Sequence, residues 1–555
     1  MKAIHTSLVV AVIVAAAVGG CAPPAGEEMK KLKQQNEELK KQADELLLEQ
    51  IRVHRKAEEA RTEAERKLEE TLRARSKTSV EETAQQRQLR KLASDLAARL
   101  VAILGGTVAR DKDGRVTAVD FTQSQAKDAD LGLLQAFLFL RKLKLDGPSF
   151  TAKCTQHVAR LTSLRELGLA NTGVNDESLE ALAGLSNLQT LDLFRTSVRG
   201  PGLKHLGALK NLVLLDLRRT RVNSDGLSHL SGLKSLKNLR LQETLIDDDG
   251  LAHLAGLQNL KALNLNGTNV TDAGLDHIAK LKNLQELVLD LTSVTGAGME
   301  KLAALEKLNS LDLRNAAAID DTGMQHIAKL TALRRLLLTA TGVSDDGLAH
   351  LKSLNKLEFL ELRETAVSDA GLEHLKGLTA LNRLNLWSTS VSSKGLVHLK
   401  DLKNLTRLNC DTTQVGDDGL EQIAGLTKLA WLNLNSTNVT DKGLAHLKGL
   451  LQLRDLSLKG TKIGDAGVSH LAHVRELRIL SLTRTKITDD ALTHLSGLPH
   501  LETLILDDTA VTDRGLSSLK KIKSLRFLHL TGTKVTPAGV KGFRQVARRV
   551  QVRGP

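Results

Sequence analysis

The sequence repeats a unit of 24 residues from about Gly106 almost to its C-terminus, and this repetition limits the possible folds more than any other feature. The unit reads LxxLxLxxTxVTDxGLxHLxxLxx. Two less regular units occupy residues 107–163, and regular units with a C-terminal cap occupy residues 164–550. One additional residue falls within 315–318. The regular units begin at Leu164, Leu188, Leu212, Leu236, Leu260, Leu284, Leu308, Leu333, Leu357, Leu381, Leu405, Leu429, Leu453, Leu477, Leu501 and Leu525.

Each unit predicts one short strand followed by one helix. Leucines alternate with other residues in the LxL segment, which is typical of a strand with its leucines turned inward. In the TDxGLxHLxxL segment apolar residues recur about every three positions, after a Thr or Asp suited to cap a helix start. One unit cannot bury its own leucines but stacked units can, so we expect parallel strands on one side and helices on the other. The chain has only 8 Phe, 2 Trp and no Tyr, which agrees with a core built from one leucine-rich unit.

The repeated motif resembles the leucine-rich repeat superfamily over roughly residues 107–550. It is similar to repeats of bacterial secreted proteins and of F-box-type proteins. The resemblance implies an α/β solenoid with parallel strands on its concave face and helices on its convex face. No F-box precedes the repeats, so the ubiquitin-ligase role of that group does not carry over. Thr, for example Thr172 or Thr437, replaces the family's usual Asn or Cys after the strand, and we expect its hydroxyl to bond the backbone of the neighbouring turn.

The N-terminus predicts a location in the cell envelope. The eleven apolar residues 8–18 are too few to span a bilayer as a helix but suit a signal peptide, which we assign to residues 1–20. The small residues before Cys21 resemble a bacterial lipoprotein signal, so Cys21 is the predicted lipidation site and residues 21–26 a flexible tether. Ala22, in place of Asp, favours an outer membrane under the sorting rule of such lipoproteins. The alternative is an ordinary secretory signal that is cleaved elsewhere.

Residues 27–104 predict a helical stalk, because they are highly charged and contain neither Gly nor Pro. Apolar residues seven apart form the a and d rows of a heptad pattern, with Asn36 at an a position. A parallel coiled-coil homodimer and a single charged helix both fit this pattern. A capping box at Ser79–Glu82 predicts the start of a second helix, which Gly105 ends. The predicted apolar stripe of that helix consists of Leu89, Leu92, Leu96, Leu100 and Ile103.

The sequence contains no known catalytic, metal-binding or phosphate-binding motif, so we predict a protein that is not an enzyme and that has no cofactor and no bound metal. Aspartates such as Asp272, Asp369, Asp441 and Asp489 recur at the helix start, where capping and the helix dipole explain them better than a row of calcium ligands. Cys410 replaces a strand leucine and is expected to be a buried, inert thiol.

Histidine also recurs at one position of the unit. Side chains in neighbouring units would lie about 5 Å apart, so we expect these histidines to stay neutral at pH 7, whereas metal binding or pH sensing is the alternative. The row comprises His205, His229, His253, His277, His326, His350, His374, His398, His446, His470 and His494.

Between Leu164 and Leu530, aromatic residues fall only at positions that turn away from the leucine core. Counted from the first leucine of each unit, Phe194 and Trp387 are at offset 6, whereas Phe359, Trp431 and Phe527 are at offset 2. Offsets 2, 4 and 6 face outward from the sheet. Three of these aromatics lie within four consecutive units and are accompanied by arginines, and Trp with Arg is typical of binding hot spots. The predicted centre of a protein-partner site is therefore Phe359, Arg363, Arg383, Trp387, Arg407 and Trp431.

The net charge of +14 leaves two alternatives to a protein partner open. An anionic polysaccharide could bind the basic clusters, and a stalked envelope spacer would need no specific ligand. Nucleic acid is not expected, because few aromatics are available to stack on bases. The clusters are Arg195, Arg218, Arg219 and Arg221 early in the array and Lys541, Arg544, Arg548 and Arg549 at its end.

Overall fold

The structure is a computed structural model that describes residues 62–63, 66–67 and 84–554. The signal peptide, Cys21, the tether and most of the stalk lie outside the described residues, so the statements about them remain predictions. The described residues belong to two units, one that ends at Leu104 and one that starts at Gly105. In the stalk, residues 62–63 and 66–67 are helical, and Glu63 pairs with Arg66 and Lys67 at 3.0 Å each. Such pairs are expected one helical turn apart.

The helix Ala84–Ile103 buries a stripe that differs from the predicted one. Its buried residues include Ala93, Ala97, Leu100 and Val101, which lie on one face at the helical period. The predicted stripe is right at Leu100 and wrong at three positions, because alanines occupy part of the buried line while the sequence analysis counted only large residues. The residues of the predicted stripe that are exposed are Leu89, Leu92 and Ile103.

Gly105, with φ +81°, follows this helix, as the predicted glycine stop requires. None of the helices within the described residues is long and apolar enough to cross a membrane.

The second unit is a sheet in which each repeat contributes one strand. β1 and β2 form an antiparallel hairpin, and from β2 to β20 each strand pairs in parallel with the next. The strands are β1 Thr107–Arg110, β2 Val116–Asp120, β3 Lys142–Lys144, β4 Glu166–Gly168, β5 Thr190–Asp192, β6 Leu214–Asp216, β7 Asn238–Arg240, β8 Ala262–Asn264, β9 Glu286–Val288, β10 Ser310–Asp312, β11 Arg335–Leu337, β12 Phe359–Glu361, β13 Arg383–Asn385, β14 Arg407–Asn409, β15 Trp431–Asn433, β16 Asp455–Ser457, β17 Ile479–Ser481, β18 Thr503–Ile505, β19 Phe527–His529 and β20 Gln551–Arg553.

A short helix follows nearly every strand, which confirms the predicted alternation of parallel strands and helices. The α-helices are Cys154–Val158, Leu203–Leu206, Ser224–Leu227, Asp248–Ala252, Asp272–Ile278, Met299–Leu302, Asp321–Ile327, Asp345–Leu348, Asp369–Leu372, Ser393–Leu396, Asp417–Ile423, Asp441–Leu444, Asp465–His470, Asp489–Leu495, Asp513–Leu519 and Pro537–Val546. The 3-10 helices are Asp128–Ala136, Glu177–Leu182, Ser228–Leu230, Ala349–Ser353, Glu373–Leu375, Val397–Leu399, Ala445–Gly449 and Leu471–His473.

The core lies between the strands and the helices and consists of the repeated aliphatic positions. In the unit that starts at Leu381, the inward side chains of the strand segment and of the helix segment are at most 2% exposed. Fully burying one such leucine contributes about 1.5–3 kcal/mol, so each unit is stabilised mainly by this row. The inward residues of that unit are Leu381, Leu384, Leu386, Val391, Leu396, Leu399 and Leu402.

The additional residue of the array lies in the loop between β10 and the helix Asp321–Ile327. Leu311 of β10 pairs with Leu336 of β11, so the ladder continues with the spacing lengthened by one residue. Ala316, 2% exposed, occupies the place of the usual Thr in this loop. The insertion therefore alters the connection and leaves the strand pairing intact.

The threonine after each strand bonds within its own repeat, which corrects the sequence prediction. The hydroxyl of Thr172 donates to the carbonyl of Leu169 at 2.7 Å, and that of Thr437 donates to the carbonyl of Leu434 at 2.6 Å. The residue before each threonine has a positive φ, 51° at Ser436, and this tight turn brings the hydroxyl back over its own strand. Contacts between neighbouring turns are made instead by backbone groups, such as Leu362 N–H to the carbonyl of Asn385.

The aspartate at each helix start links successive repeats. Asp369 accepts hydrogen bonds from the backbone N–H and the hydroxyl of Ser392 at 2.7 and 2.6 Å. Ser368, which precedes this aspartate, caps its helix. The aspartates are thus structural, as predicted, but the residue before each one supplies the helix cap, and the aspartate bonds the next repeat instead. The link between repeats also explains the glycine at position 395, because a Cβ there would lie 2.5 Å from Asp369 Oδ1.

Candidate protein-binding face

The outward side chains of the strands form one continuous surface, which we call the open face. Its first row consists of the first residue of each strand, its middle row of the third residue, and its third row of the residue two positions beyond the strand. Parallel pairing places residues of the same row side by side, at the usual strand spacing of about 4.8 Å.

The predicted site residues fall on two of these rows. In the first row Phe359, Arg383, Arg407 and Trp431 are consecutive neighbours across β12 to β15. The third row brings Arg363 and Trp387 together. The structure thus groups all six predicted residues on four adjacent strands, and their role in binding stays a prediction.

Arg363 and Trp387 form a stacked pair. The guanidinium carbon of Arg363 lies 3.5 Å from the centre of the Trp387 ring system, a cation–π contact. Arg363 also pairs with Glu364 at 2.9 Å. The backbone N–H of Trp387 donates to Asn385 Oδ1 at 3.0 Å, which fixes the residue at the end of its strand. One face of this tryptophan is therefore already covered by Arg363.

Phe359 lies beside an arginine that the sequence analysis did not include. The guanidinium carbon of Arg335 is 5.6 Å from the centre of the Phe359 ring. Both residues line a depression of about 510 Å³ that also involves Glu361, Arg363 and Asn385. The signal for Arg335 was present in the sequence, because it occupies the first-row position one repeat before Phe359.

Two acidic groups of the open face lie in partly buried surroundings. Burial raises the pKa of Asp455, whereas a hydrogen bond from Trp431 and the positive charge of Arg407 oppose the rise. Burial likewise raises the pKa of Glu361, and a hydrogen bond from Asn385 opposes it. Trp431 and Asp455 are direct neighbours in the first row, and the half-buried ring of Trp431 provides apolar surface there.

Asparagines occupy the middle row between the two tryptophans. Asn385, Asn409 and Asn433 are direct neighbours in β13, β14 and β15. Asn409 Oδ1 accepts the backbone N–H of Asp411 at 3.0 Å, a turn that neighbouring strands repeat. Among the described residues no partner is seen for the Nδ2 group of Asn409, so it is available to a ligand.

Apolar residues of the first row continue beyond the predicted patch. Ile479 is 38% exposed and Phe527 is 42% exposed. They lie two and four strands beyond Trp431, at about 10 and 19 Å by the strand spacing. Phe527 was predicted to be an outward aromatic, whereas Ile479 was not predicted, because it carries no aromatic ring.

The early basic cluster is partly neutralised by acids. Arg218 and Arg240 both pair with the buried Asp216, at 2.6 and 3.1 Å, and Arg219 pairs with Glu243 at 2.9 Å. Arg218 also lies 4.9 Å from the centre of the Phe194 ring. A depression of about 590 Å³ next to this cluster is lined mainly by polar and charged residues.

The C-terminal basic cluster is exposed, and Arg544 donates to the carbonyl of Val552 at 2.8 Å, which ties the last helix to β20.

The recurring histidines line the helix side, and most of them are half-buried. Burial and the nearby Lys376 lower the pKa of His398, which favours its neutral form as predicted. Within the residues that the structure describes, no group of three or more His, Cys, Asp or Glu side chains is placed to hold a metal ion. Cys410 is fully buried, and burial raises its pKa to about 12, which confirms the predicted inert thiol.

A family model described as leucine-rich repeat region matches residues 120–310, 201–449 and 291–550. The chain belongs to the leucine-rich repeat family. Proteins of this family generally act as protein-binding scaffolds, and the fold is typically not enzymatic. A search of curated protein sequences found no significant match.

Solved leucine-rich repeat structures are similar to this chain at low sequence identity. An internalin from Listeria monocytogenes is 23% identical, with a TM-score of 0.45, over 56% of this chain and 89% of that protein. A leucine-rich repeat protein from Leptospira interrogans is 21% identical, with a TM-score of 0.48, over 74% of this chain and 95% of its own. The Arabidopsis receptor kinase HAESA is 16% identical, with a TM-score of 0.41, over 80% of this chain and 83% of its own. These values carry no argument about function.

Proposed function

We propose that this chain is a cell-envelope lipoprotein that binds a protein partner on the open face of its leucine-rich repeats and catalyses no reaction. The observation that carries the binding role is the patch on β12 to β15, where two tryptophans, a phenylalanine and three arginines lie on adjacent strands. Trp and Arg are enriched among the residues that dominate binding energy. The scaffold role that is general in the family supports the same conclusion.

The envelope location rests on the sequence alone. The apolar segment before Cys21 and the small residues beside it support lipidation at this cysteine. Replacement of Cys21 by Ser is expected to release the protein from membranes, because lipid chains contribute about 0.8 kcal/mol per buried methylene. The measurement is fractionation after a high-salt wash. A variant that stays in the membrane fraction would contradict the lipoprotein proposal.

The binding role is tested by a double variant, Trp387→Ala with Trp431→Ala. Both rings lie on the open face and outside the leucine core, so the variant is expected to stay folded and to lose partner affinity by about 2 kcal/mol or more. The full-length chain is used to isolate partners from detergent-solubilised envelopes, and the recovered proteins are compared between wild type and variant. The matched control is Phe139→Ala with Phe194→Ala, which removes two rings from elsewhere in the repeats.

Three outcomes separate the candidate functions. One stoichiometric protein that the control retains and the tryptophan variant loses supports the proposal. Enrichment of anionic polysaccharide in place of protein favours the alternative ligand. Recovery of the same components by wild type and tryptophan variant rejects this patch, and the cluster around Arg218 becomes the next site to test.

A further inference from the structure

Arg383 and Arg407 form a pair of adjacent arginines on the open face that are not matched by a carboxylate in the described part of the chain. They are direct neighbours in the first row, opposite each other in β13 and β14. Both side chains are exposed, and neither makes an ion pair within the described part of the chain. In contrast, Arg218, Arg240, Arg314 and Arg363 of the same face each pair with a carboxylate.

Most of the carboxylates near the arginine pair already contact other groups. Asp455, two strands beyond Arg407 in the first row, is near enough for the charge of Arg407 to oppose the rise in its pKa, but the two form no ion pair. Glu361 accepts from Asn385, and Glu364 pairs with Arg363. Asp411 accepts from the Thr412 hydroxyl at 2.9 Å and lies 3.3 Å from Asn435 Nδ2. Two like charges about 5 Å apart repel by roughly 1 kcal/mol in water, so an external anion between the arginines would relieve this repulsion. The arrangement leaves a charge to be balanced by a ligand.

The donors around this pair suit a carboxylate. Guanidinium groups bind carboxylates through two parallel N–H donors, and such charge-assisted bonds are stronger than neutral ones. The free Nδ2 group of Asn409, two residues beyond Arg407, adds a third donor on the same face. In the first row Phe359 and Trp431 flank the two arginines. In a ligand whose acidic residue binds the arginines, apolar residues on either side of that acid would contact the two aromatic rings.

The two tryptophans favour a polypeptide over a sugar chain. Arg363 covers one face of Trp387, which reduces the ring surface available to stack against a sugar, and Trp431 lies between the charged residues Arg407 and Asp455 in the first row. Beyond Trp431 the exposed apolar residues Ile479 and Phe527 alternate with the polar residues Asp455 and Thr503, and Phe359 lies at the other end of the arginine pair. A polypeptide segment with an acidic residue between apolar ones matches this order.

We propose that Arg383 and Arg407 bind an Asp or Glu side chain in a segment of the partner protein, with Phe359 and Trp431 contacting apolar residues on either side. This inference rests on the proposed function and names the chemistry of its partner.

The test uses the full chain to select binders from a phage library of short random peptides. An enriched peptide and its version with Asn or Gln in place of Asp or Glu are then labelled with fluorescein and measured by anisotropy. The variant Arg383→Gln with Arg407→Gln is compared with a control, Arg454→Gln with Arg478→Gln. The control removes the same charge from two exposed arginines of neighbouring repeats. Circular dichroism confirms that both variants are folded.

The expected result is an acidic consensus, with affinity that falls roughly tenfold or more in the Arg383 and Arg407 variant and in the amide peptide but not in the control. Enriched peptides without an acidic residue, or unchanged binding by the Arg383 and Arg407 variant, overturn this inference. If those peptides still lose binding in the tryptophan variant, the proposed function stands. A library without any binder, or peptides that neither variant affects, overturns both. An oligogalacturonate that binds the arginine pair more tightly than the peptides overturns the choice of a polypeptide.

Discussion

Leu386 and Trp387 are adjacent in sequence but lie on opposite sides of the sheet. Replacing each of them in turn distinguishes the contribution of the leucine core to stability from that of the open face. Leu386 is fully buried, whereas Trp387 is half-buried on the open face. Leu386→Ala leaves a cavity between Leu362 and Cys410, which occupy the same position in the neighbouring repeats. Such substitutions cost about 3–5 kcal/mol. Leu386→Asp is expected to cost more, because it places a carboxylate among aliphatic side chains without a partner.

The assay combines urea unfolding with hydrogen exchange followed by mass spectrometry. Since repeats contact only their neighbours, loss of protection is expected to centre on β12 to β14 and to be smaller in β5 to β7. Trp387→Ala serves as the control and should change the free energy of unfolding by much less than Leu386→Ala. Equal destabilisation by Leu386→Asp and Trp387→Ala, or no change with either, would refute the inward assignment of Leu386.

Two further predictions concern the links between repeats. Gly395→Ala should lower the urea midpoint, at a cost of about 1–3 kcal/mol, because its Cβ would lie 2.5 Å from Asp369 Oδ1. The control is Gly377→Ala, which should leave the midpoint unchanged because no atom lies within 4 Å of the added Cβ. An equal effect of the two variants would contradict the predicted contact. Hydrogen bonds from Thr536 hold the pKa of Asp513 below its ordinary value. A carboxylate whose pKa is lower in the folded state stabilises the fold above about pH 4, and this stabilisation is lost as the pH falls through the folded-state pKa. The urea midpoint of wild type should therefore fall more steeply between about pH 5 and 3 than that of Asp513→Asn, and parallel profiles would argue against this contribution.

The sequence predicted the orientation of the site residues because two periods act together. Alternation in the strand places Leu384 inward and Arg383 outward, and the repeat length then makes Arg383 and Arg407 neighbours. These two periods were enough to place the six predicted residues on one face. They were also enough to locate Arg335 and Ile479, which the search for aromatics and nearby arginines left out.

Hydrogen-bond partners could not be read from the repeats in the same way. The hydroxyl of Thr172 reaches its own strand because the preceding turn has a positive φ, and Asp369 reaches Ser392 because the next repeat lies beside it. Both depend on backbone geometry in space. The buried side of the helix Ala84–Ile103 could not be predicted either, because it contains alanines, and hydrophobicity alone does not distinguish buried alanines from exposed ones.

Stability and recognition use alternate residues of the same strands in this protein. The inward leucines of β12 to β15 are fully or almost fully buried, whereas the outward residues vary from strand to strand between aromatic, basic, acidic and amide side chains. The composition of the open face can therefore change with little effect on the core. A partner that spans the four strands contacts four repeats at once, and because it binds only their folded arrangement, it couples their unfolding and stabilises them together.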